Sequence, residues 1–119
     1  MLAQTVTPLS VFVTTVLFAV FLSVTAHVAA RNVLGDVDPR RALYVGPLPA
    51  VASVVGGGFA VPAAVTVTVA LLLDAAMFRW SYEQEPRVVA VMTVIHAAVT
   101  VLVGVVVAGI ALLFSTRPT

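Results

Sequence analysis

Three side chains that can carry a proton or bind an ion lie inside otherwise apolar stretches: His27, Asp74 and His96. Asp74 stands in "VTVALLLDAAMFRW", and the histidines stand in "FLSVTAHVAA" and "VMTVIHAAVT". A charge at the centre of a bilayer costs about 2.5–3.5 kcal/mol on insertion scales, so such residues face protein or water, or are neutral. If these stretches are membrane helices, the three residues are candidates for a polar cluster between helices.

Steps of four along each predicted helix place every one of these residues on a stripe of small and hydroxylated side chains. Residues spaced by four share a helix face, and small residues let membrane helices approach closely. We therefore expect the three ionisable side chains to face one another. The stripes are Thr15, Ala19, Ser23 and His27; Pro62, Thr66, Ala70 and Asp74; and His96, Thr100, Gly104 and Ala108.

Such a cluster has two main interpretations. It can be a hydrogen-bonded network that fixes helix packing, or it can be part of a path for protons or ions. Two histidines and a carboxylate can also bind a transition metal, but no HxxxH or HExxH spacing is present, so neither a metal site nor a cofactor is predicted. The DxD formed by Asp36 and Asp38 is better explained by helix capping at Asp38.

The composition is that of a membrane protein. The chain has 119 residues, of which 61% are hydrophobic and 9% charged, with a mean hydropathy of +1.16. Soluble domains usually have about 25% charged residues. We interpret residues 1–119 as one membrane-embedded helical domain. The net charge of +1 does not favour nucleic acid, and the lack of cysteine excludes disulfides and thiolate metal sites.

Apolar runs and turn signals predict an all-α bundle of four helices, at about residues 9–32, 39–55, 61–80 and 86–114. The apolar region 42–73 is too long for one helix, and it contains the triplet Gly56, Gly57 and Gly58 followed by Pro62, a turn signal. "DVDPRR" and "EQEPRV" each place a capping carboxylate before a proline at the first helical position. The second helix is short and contains prolines, so we expect it to be kinked or re-entrant. The alternative is three crossings.

Arginine placement favours four crossings over three. All six basic residues are arginine, and four crossings put five of them on one side and only Arg117 on the other. Three crossings give a four-to-two partition. Because cytoplasmic loops are rich in Arg, loops 33–38 and 81–85 are predicted to be cytoplasmic, with both termini outside the cell membrane. The arginines expected to set topology and meet lipid headgroups are Arg31, Arg40, Arg41, Arg79 and Arg87.

No catalytic motif is visible, because the sequence has no GxGxxG, Walker loop, GxSxG or CxxC. We therefore predict a non-catalytic integral membrane protein in contact with the lipid bilayer, either a homo-oligomer or an accessory subunit of a membrane complex. The alternative is a small permeation or transport protein that uses Asp74, His27 and His96. A membrane enzyme acting on lipid is a third possibility.

Three stretches also carry a family resemblance: "VDPRRALYVGPLPA", "LLLDAAMFRW" and "VVAVMTVIHAAVTVLVG". The chain resembles small four-helix membrane proteins of halophilic archaea that are classed as a domain of unknown function. The resemblance covers roughly residues 31–104. It implies a compact helical membrane domain from a high-salt organism, and it implies no activity and no functional residue.

Overall fold

The computed structural model describes residues 7–117, which form helices and short connections without any strand. Helix α1 is Pro8–Leu34, a 3₁₀ segment is Pro39–Tyr44, α2 is Pro47–Gly58, α3 is Ala63–Tyr82 and α4 is Pro86–Thr116. The predicted all-α bundle of four helices is confirmed. Of the predicted domain, residues 1–6 and 118–119 lie outside the described range.

Helix starts follow the local sequence signals. At α1, the Thr7 hydroxyl accepts from the Ser10 amide at 3.0 Å, and Ser10 Oγ accepts from the Thr7 amide at 3.1 Å. At the 3₁₀ segment, Asp38 Oδ1 accepts from the Arg40 amide at 3.0 Å. Helix α4 begins at Pro86, but Glu85 at its N-cap makes no side-chain capping bond. Proline at the first position is therefore enough to begin α4, since its fixed φ suits a helix and its missing amide needs no partner.

The predicted second helix is broken in two. The 3₁₀ segment ends at Tyr44, and α2 begins at Pro47. The break contains Gly46, which packs directly on α1: a Cβ there would lie 2.6 Å from the Ala19 carbonyl oxygen and 2.7 Å from the Ser23 amide nitrogen. Only glycine fits this contact, so the break in the predicted helix coincides with a close contact between this segment and α1.

The glycine triplet does not form the turn that the sequence predicts. It lies in the last turn of α2, which extends to Gly58 rather than ending near residue 55, and the turn itself is residues 59–62, with Ala60 at a φ of 53°. A Cβ on Gly56 would lie 2.6 Å from Thr66 Cγ2 of α3. Gly56 therefore allows α2 and α3 to pack closely as a hairpin.

The core lies at one end of the bundle. Helices α1 and α3 end there and α4 begins there, and we call this end, which carries loops 35–38 and 83–85, the loop end. Small and large apolar residues from α1, the 3₁₀ segment, α3 and α4 fill it. The buried core residues are Ala26, Ala30, Ala42, Val45, Phe78, Tyr82, Val89 and Met92.

Helices α1, α3 and α4 are long and apolar enough to cross a membrane, with mean hydropathies of 2.3, 1.5 and 2.8 in their most apolar stretches. The 20 residues of α3 measure about 30 Å, which matches a hydrocarbon core of ~30 Å. The 31 residues of α4 measure about 46 Å. Residues 106–116 of α4 are the part of this helix that exceeds the length of α3, and we call them the α4 overhang. These apolar helices indicate a membrane protein.

Candidate functional site

A carboxyl–imidazole pair joins α3 to α4. Asp74 Oδ2 lies 2.5 Å from His96 Nδ1, and both residues are 3% exposed. Asp74 is eight residues from the loop end of α3, about 12 Å along the helix. The ring of Phe78, one turn further along α3, meets the His96 ring edge-on with centroids 5.5 Å apart. This packing keeps the imidazole in one orientation.

The other ring nitrogen of His96 reaches α1. His96 Nε2 lies 2.8 Å from Thr25 Oγ1 and 3.0 Å from the Leu22 carbonyl oxygen. The Thr100 hydroxyl donates to Thr25 Oγ1 at 3.0 Å, and the Thr25 hydroxyl donates to the Leu22 carbonyl at 3.1 Å. We call Thr25, Asp74, His96 and Thr100 the polar cluster, and it holds α1, α3 and α4 together.

The partners of His96 assign its hydrogens. A carbonyl oxygen only accepts, and the single Thr25 hydrogen already points to that carbonyl, so Nε2 is the nitrogen that donates. Nδ1 then faces Asp74 Oδ2, and a 2.5 Å contact between the two requires a proton between them. The proton gives either a carboxylic acid beside neutral imidazole or a carboxylate beside imidazolium. In both forms the pair is neutral overall, which lowers the cost of burying it.

His27 does not join the polar cluster. It is half-buried and lines a separate cavity with Pro39 and Leu43, and its Nδ1 is buried without a hydrogen-bond partner. Two residues correspond to about 200° around a helix, so His27 and Thr25 lie on opposite faces of α1. The polar cluster therefore uses the face of α1 that carries Thr25, and the predicted participation of His27 is wrong.

Thr25 was missed because it is not on the predicted stripe. A usable signal exists, since Thr25 and Ala29 are spaced by four, as are Ala26 and Ala30, and all four are buried. These small residues define the face of α1 that meets α4 and the core. Two rows of small residues therefore run along different faces of α1, and periodicity alone does not show which row faces α3 and α4.

The other stripe residues fall into three groups. Ala19 and Ser23 face Gly46, and Thr66 faces Gly56, so these serve the packing of α2. Ala70 lines a cavity beside the cluster, and Thr15 is half-buried on α1. On α4, Thr100 joins the cluster, a Cβ on Gly104 would lie 4.0 Å from Phe21 Cζ, and Ala108 is exposed.

A cavity of about 190 Å³ lies beside the polar cluster, between the four helices. Asp74 and His96 line it. The second carboxyl oxygen of Asp74, Oδ1, is buried and has no hydrogen-bond partner. Most of the other walls of the cavity are apolar. They are Phe18, Leu22, Pro49, Val67, Ala70, Leu71, Ala97 and Val101, with the hydroxyl-bearing Ser53 and Thr100. Within the described residues, no group of three or more potential metal-ligating side chains occurs.

Five arginines surround the loop end. All five are exposed, and they are Arg31, Arg40, Arg41, Arg79 and Arg87. The Arg41 guanidinium donates to the Ser81 carbonyl, and the Ser81 hydroxyl donates to the Arg41 carbonyl at 2.8 Å, which locks the 3₁₀ segment to the end of α3. Beside them, the exposed rings of Tyr44 and Trp80 meet edge-on at 5.6 Å.

Asp38, the N-cap of the 3₁₀ segment, has a carboxyl group with a lowered pKa. The Arg40 amide, which donates to its carboxylate, lowers the pKa of Asp38 below its ordinary value, and the Arg40 side chain, 3.4 Å away, acts in the same direction. The carboxylate thus favours its charged form, as expected for a cap in a loop exposed to solvent.

The chain belongs to DUF7473, a family of unknown function, whose model matches residues 5–118. No curated protein and no solved structure was found to match the chain. Membership of an uncharacterised family agrees with the resemblance drawn from the sequence. The halophilic archaeal origin stays a prediction.

Proposed function

We propose that this protein is a non-catalytic, multi-pass integral membrane protein that assembles with copies of itself through α4. The polar cluster stabilises the packing of the helices inside the membrane, because it links α1, α3 and α4 through buried hydrogen bonds. Loops 33–38 and 81–85 face the cytoplasm in this proposal, since the loop end carries five of the six arginines. If α1 and α3 both cross, the 3₁₀ segment and α2 return the chain across the membrane.

The observation that supports self-assembly is the unpartnered outer part of α4. This helix contains the most apolar stretch of the chain, and no residue of that stretch is buried. Exposed fractions are 64% at Leu112, 71% at Leu113 and 64% at Phe114. Every residue of the overhang is exposed, so no other helix of the same chain covers it. A second α4 of the same length would match it along its whole apolar surface.

A close approach of two α4 helices is possible at one face. Gly104 and Ala108 are spaced by four, and this small-xxx-small arrangement lets helix backbones come near each other in lipid. Ala108 is exposed, and Gly104 only touches the edge of Phe21. Val106, 59% exposed, lies on the opposite face of α4 and provides a matched control.

Disulfide trapping in native membranes tests self-assembly, because the chain has no cysteine of its own. Ala108→Cys should give a covalent dimer under mild oxidation, and Val106→Cys should stay monomeric. Ala108→Leu should lower the mass of the particle in mild detergent, whereas Val106→Leu should not. A monomeric particle together with no dimer from either cysteine would overturn the proposal. A disulfide to a different protein would replace it with an accessory subunit.

The second candidate is a small permeation or transport protein, and the unpartnered Asp74 Oδ1 beside the cavity favours it. A shared proton next to a buried acceptor without a partner is the kind of arrangement that intramembrane relays use. His27 is not part of such a site, so Asp74 and His96 alone would carry it. Flux of protons or alkali ions in proteoliposomes, lost in Asp74→Asn, would support this candidate. Flux equal to that of empty liposomes across a range of pH would refute it.

A further inference from the structure

A polar cleft of about 410 Å³ opens at the loop end, between the 3₁₀ segment and the end of α3. Its lining residues are Asp38, Arg40, Arg41, Tyr44, Trp80 and Ser81. The charged side chains among them are accessible, since those of Arg40, Arg41 and Asp38 are 83%, 45% and 45% exposed. A ligand at the membrane surface can therefore contact these charges directly.

An apolar groove of about 290 Å³ adjoins this cleft, between the 3₁₀ segment and α1. Arg40 lines both the cleft and the groove. The main apolar residues of the groove are exposed, and they are Val20, Val24 and Val28 of α1 and Leu43 of the 3₁₀ segment. The three valines are spaced by four and share one face of α1, so they form a continuous apolar wall.

From this arrangement we propose that the cleft binds the phosphate of an anionic phospholipid, to which Arg40 and Arg41 donate, and that the groove holds an acyl chain of the same lipid. The cleft and the groove are formed by α1, the 3₁₀ segment and α3. The site is therefore separate from the α4 surface of the proposed assembly and does not depend on it.

The charge of the cleft favours an anion. Two arginines and one aspartate give its lining a net charge of +1, which complements a phosphodiester with one negative charge. Asp38 accepts from the Arg40 amide at 3.0 Å and lies 3.4 Å from Arg40 Nη2, so this carboxylate positions the guanidinium at the cleft. Glu83 lies 3.9 Å from Arg41 Nη1 but does not line the cleft. A zwitterionic headgroup brings its own cation, which the two arginines oppose.

The Arg41 guanidinium is held in place and still has donors for a ligand. One of its nitrogens donates to the Ser81 carbonyl, and the Ser81 hydroxyl donates to the Arg41 carbonyl at 2.8 Å. A guanidinium has five N–H donors in a planar fork that suits phosphate oxygens. The bond to Ser81 therefore leaves donors that a phosphate can use.

The positions of the cleft and the groove fit a lipid. Since α3 matches the hydrocarbon thickness, its end at Tyr82 lies near the membrane surface, and Trp80 is at the level that interfacial aromatic rings prefer. Val28 and Val20 are six and fourteen residues from the end of α1 at Leu34, about 9 and 21 Å along the helix. The groove therefore leads from the headgroup level into the hydrocarbon, as an acyl chain does.

The fluorescence of Trp80 tests the site, because this residue lines the cleft and is the one tryptophan of the chain. The whole chain is placed in phosphatidylcholine bilayers that contain either brominated phosphatidylglycerol or brominated phosphatidylcholine with the same acyl chains. Bromine quenches a nearby tryptophan. The apparent affinity should be about fivefold higher for the phosphatidylglycerol, as one arginine charge near an anionic lipid implies. Equal quenching by the two lipids would overturn the proposal.

Two arginine variants separate binding at the cleft from general attraction to the loop end. Arg40→Gln should abolish the preference for phosphatidylglycerol. Arg87→Gln removes the same charge from the same end but at a residue that does not line the cleft, and it should keep the preference. Both side chains are exposed, so neither substitution disturbs the core. An equal loss of preference in the two variants, or a preference retained in Arg40→Gln, would overturn the site.

Inorganic phosphate distinguishes a lipid from a free phosphate. An excess of it, compared with chloride at the same ionic strength, should leave quenching by brominated phosphatidylglycerol unchanged, because a free phosphate has no acyl chain for the groove. If phosphate removes the quenching and chloride does not, the cleft binds a soluble phosphate, and the lipid site is overturned.

Discussion

Asp74 Oδ2 and His96 Nδ1 lie 2.5 Å apart, although 22 positions separate the two residues in sequence, and His96 reaches α1 with its other nitrogen. Because both side chains are buried, each depends on the other to satisfy its polar atoms. Removing one leaves a polar group without a partner in a low-dielectric environment, which costs more than the hydrogen bond is worth.

We therefore expect strong coupling in a double-mutant cycle of Asp74→Leu and His96→Leu. Each single change should lower the free energy of unfolding by about 1–3 kcal/mol, and the double change should cost clearly less than the sum. Asp74→Asn should be the mildest variant because its amide can donate to Nδ1. Thermal unfolding in mild detergent provides the measurement. Additive single effects, or Asn as damaging as Leu, would show that the pair is not coupled in this way.

Thr25→Val should weaken the attachment of α1 to the pair. The substitution keeps the shape of the side chain but removes the hydroxyl that contacts His96, Thr100 and the Leu22 carbonyl. Interhelical hydrogen bonds in membranes average about 0.6 kcal/mol, so a loss of about 1–2 kcal/mol is expected for this multiple contact. Thr14→Val, at an exposed position of the same helix, is the control and should leave the melting temperature unchanged. The same melting temperature in both variants would contradict a bonding role for Thr25.

Gly46→Ala and Gly57→Ala should have opposite effects. A Cβ on Gly46 would press on the backbone of α1 at Ala19 and Ser23, whereas a Cβ on Gly57 meets nothing within 4 Å. Backbone atoms cannot rotate out of the way, so Gly46→Ala should cost at least about 1–3 kcal/mol. Gly57→Ala should be neutral or stabilise α2 by up to about 1 kcal/mol. Their unfolding temperatures, compared in one detergent, check the close packing at Gly46, and equal temperatures would refute it.

The cap at Asp38 should lose strength in acid. Its folded-state pKa is lowered by the Arg40 amide, so the stabilisation is present above the unfolded-state pKa and is lost as pH falls through the folded-state value. An NMR titration of the Asp38 carboxyl should give a midpoint below the ordinary value for aspartate. Asp38→Asn keeps a capping oxygen and should remove this acid dependence from the 3₁₀ segment. A midpoint at or above the ordinary value would contradict the cap.

Much of the fold is predictable from helix-start signals and from the lengths of the apolar runs in the sequence. A carboxylate followed by proline marks the start of the 3₁₀ segment at Pro39 and the start of α4 at Pro86. The lengths of the apolar runs distinguish α3 from the longer α4. The end of α2 is harder to predict, because a glycine triplet is a turn signal in the sequence whether or not the chain turns there. In this structure Gly56 lies within α2 and makes room for Thr66. The local sequence does not predict which residue of another helix will pack against a given glycine.

The candidate site is predictable in part for a similar reason. Asp74 and His96 each had one small-residue stripe to lie on, and the structure brings these two together. Helix α1 offered two such stripes, one through Ser23 and His27 and one through Thr25 and Ala29. Packing of the 3₁₀ segment and Gly46 against Ser23 decides between them, and that is a long-range contact.

Single-cysteine labelling in the cysteine-free chain tests most directly whether this bundle crosses the membrane with the polar cluster inside it. Suitable exposed sites are Asp36 and Glu85 at the loop end, Gly57 at the end of α2, and Ser115 at the end of α4. We expect Asp36→Cys and Glu85→Cys to label from the cytoplasmic side, and Gly57→Cys and Ser115→Cys to label from the outside. If Asp36→Cys and Glu85→Cys instead label from opposite sides, the two loops do not share a face, and a membrane bundle closed by Asp74 and His96 is contradicted.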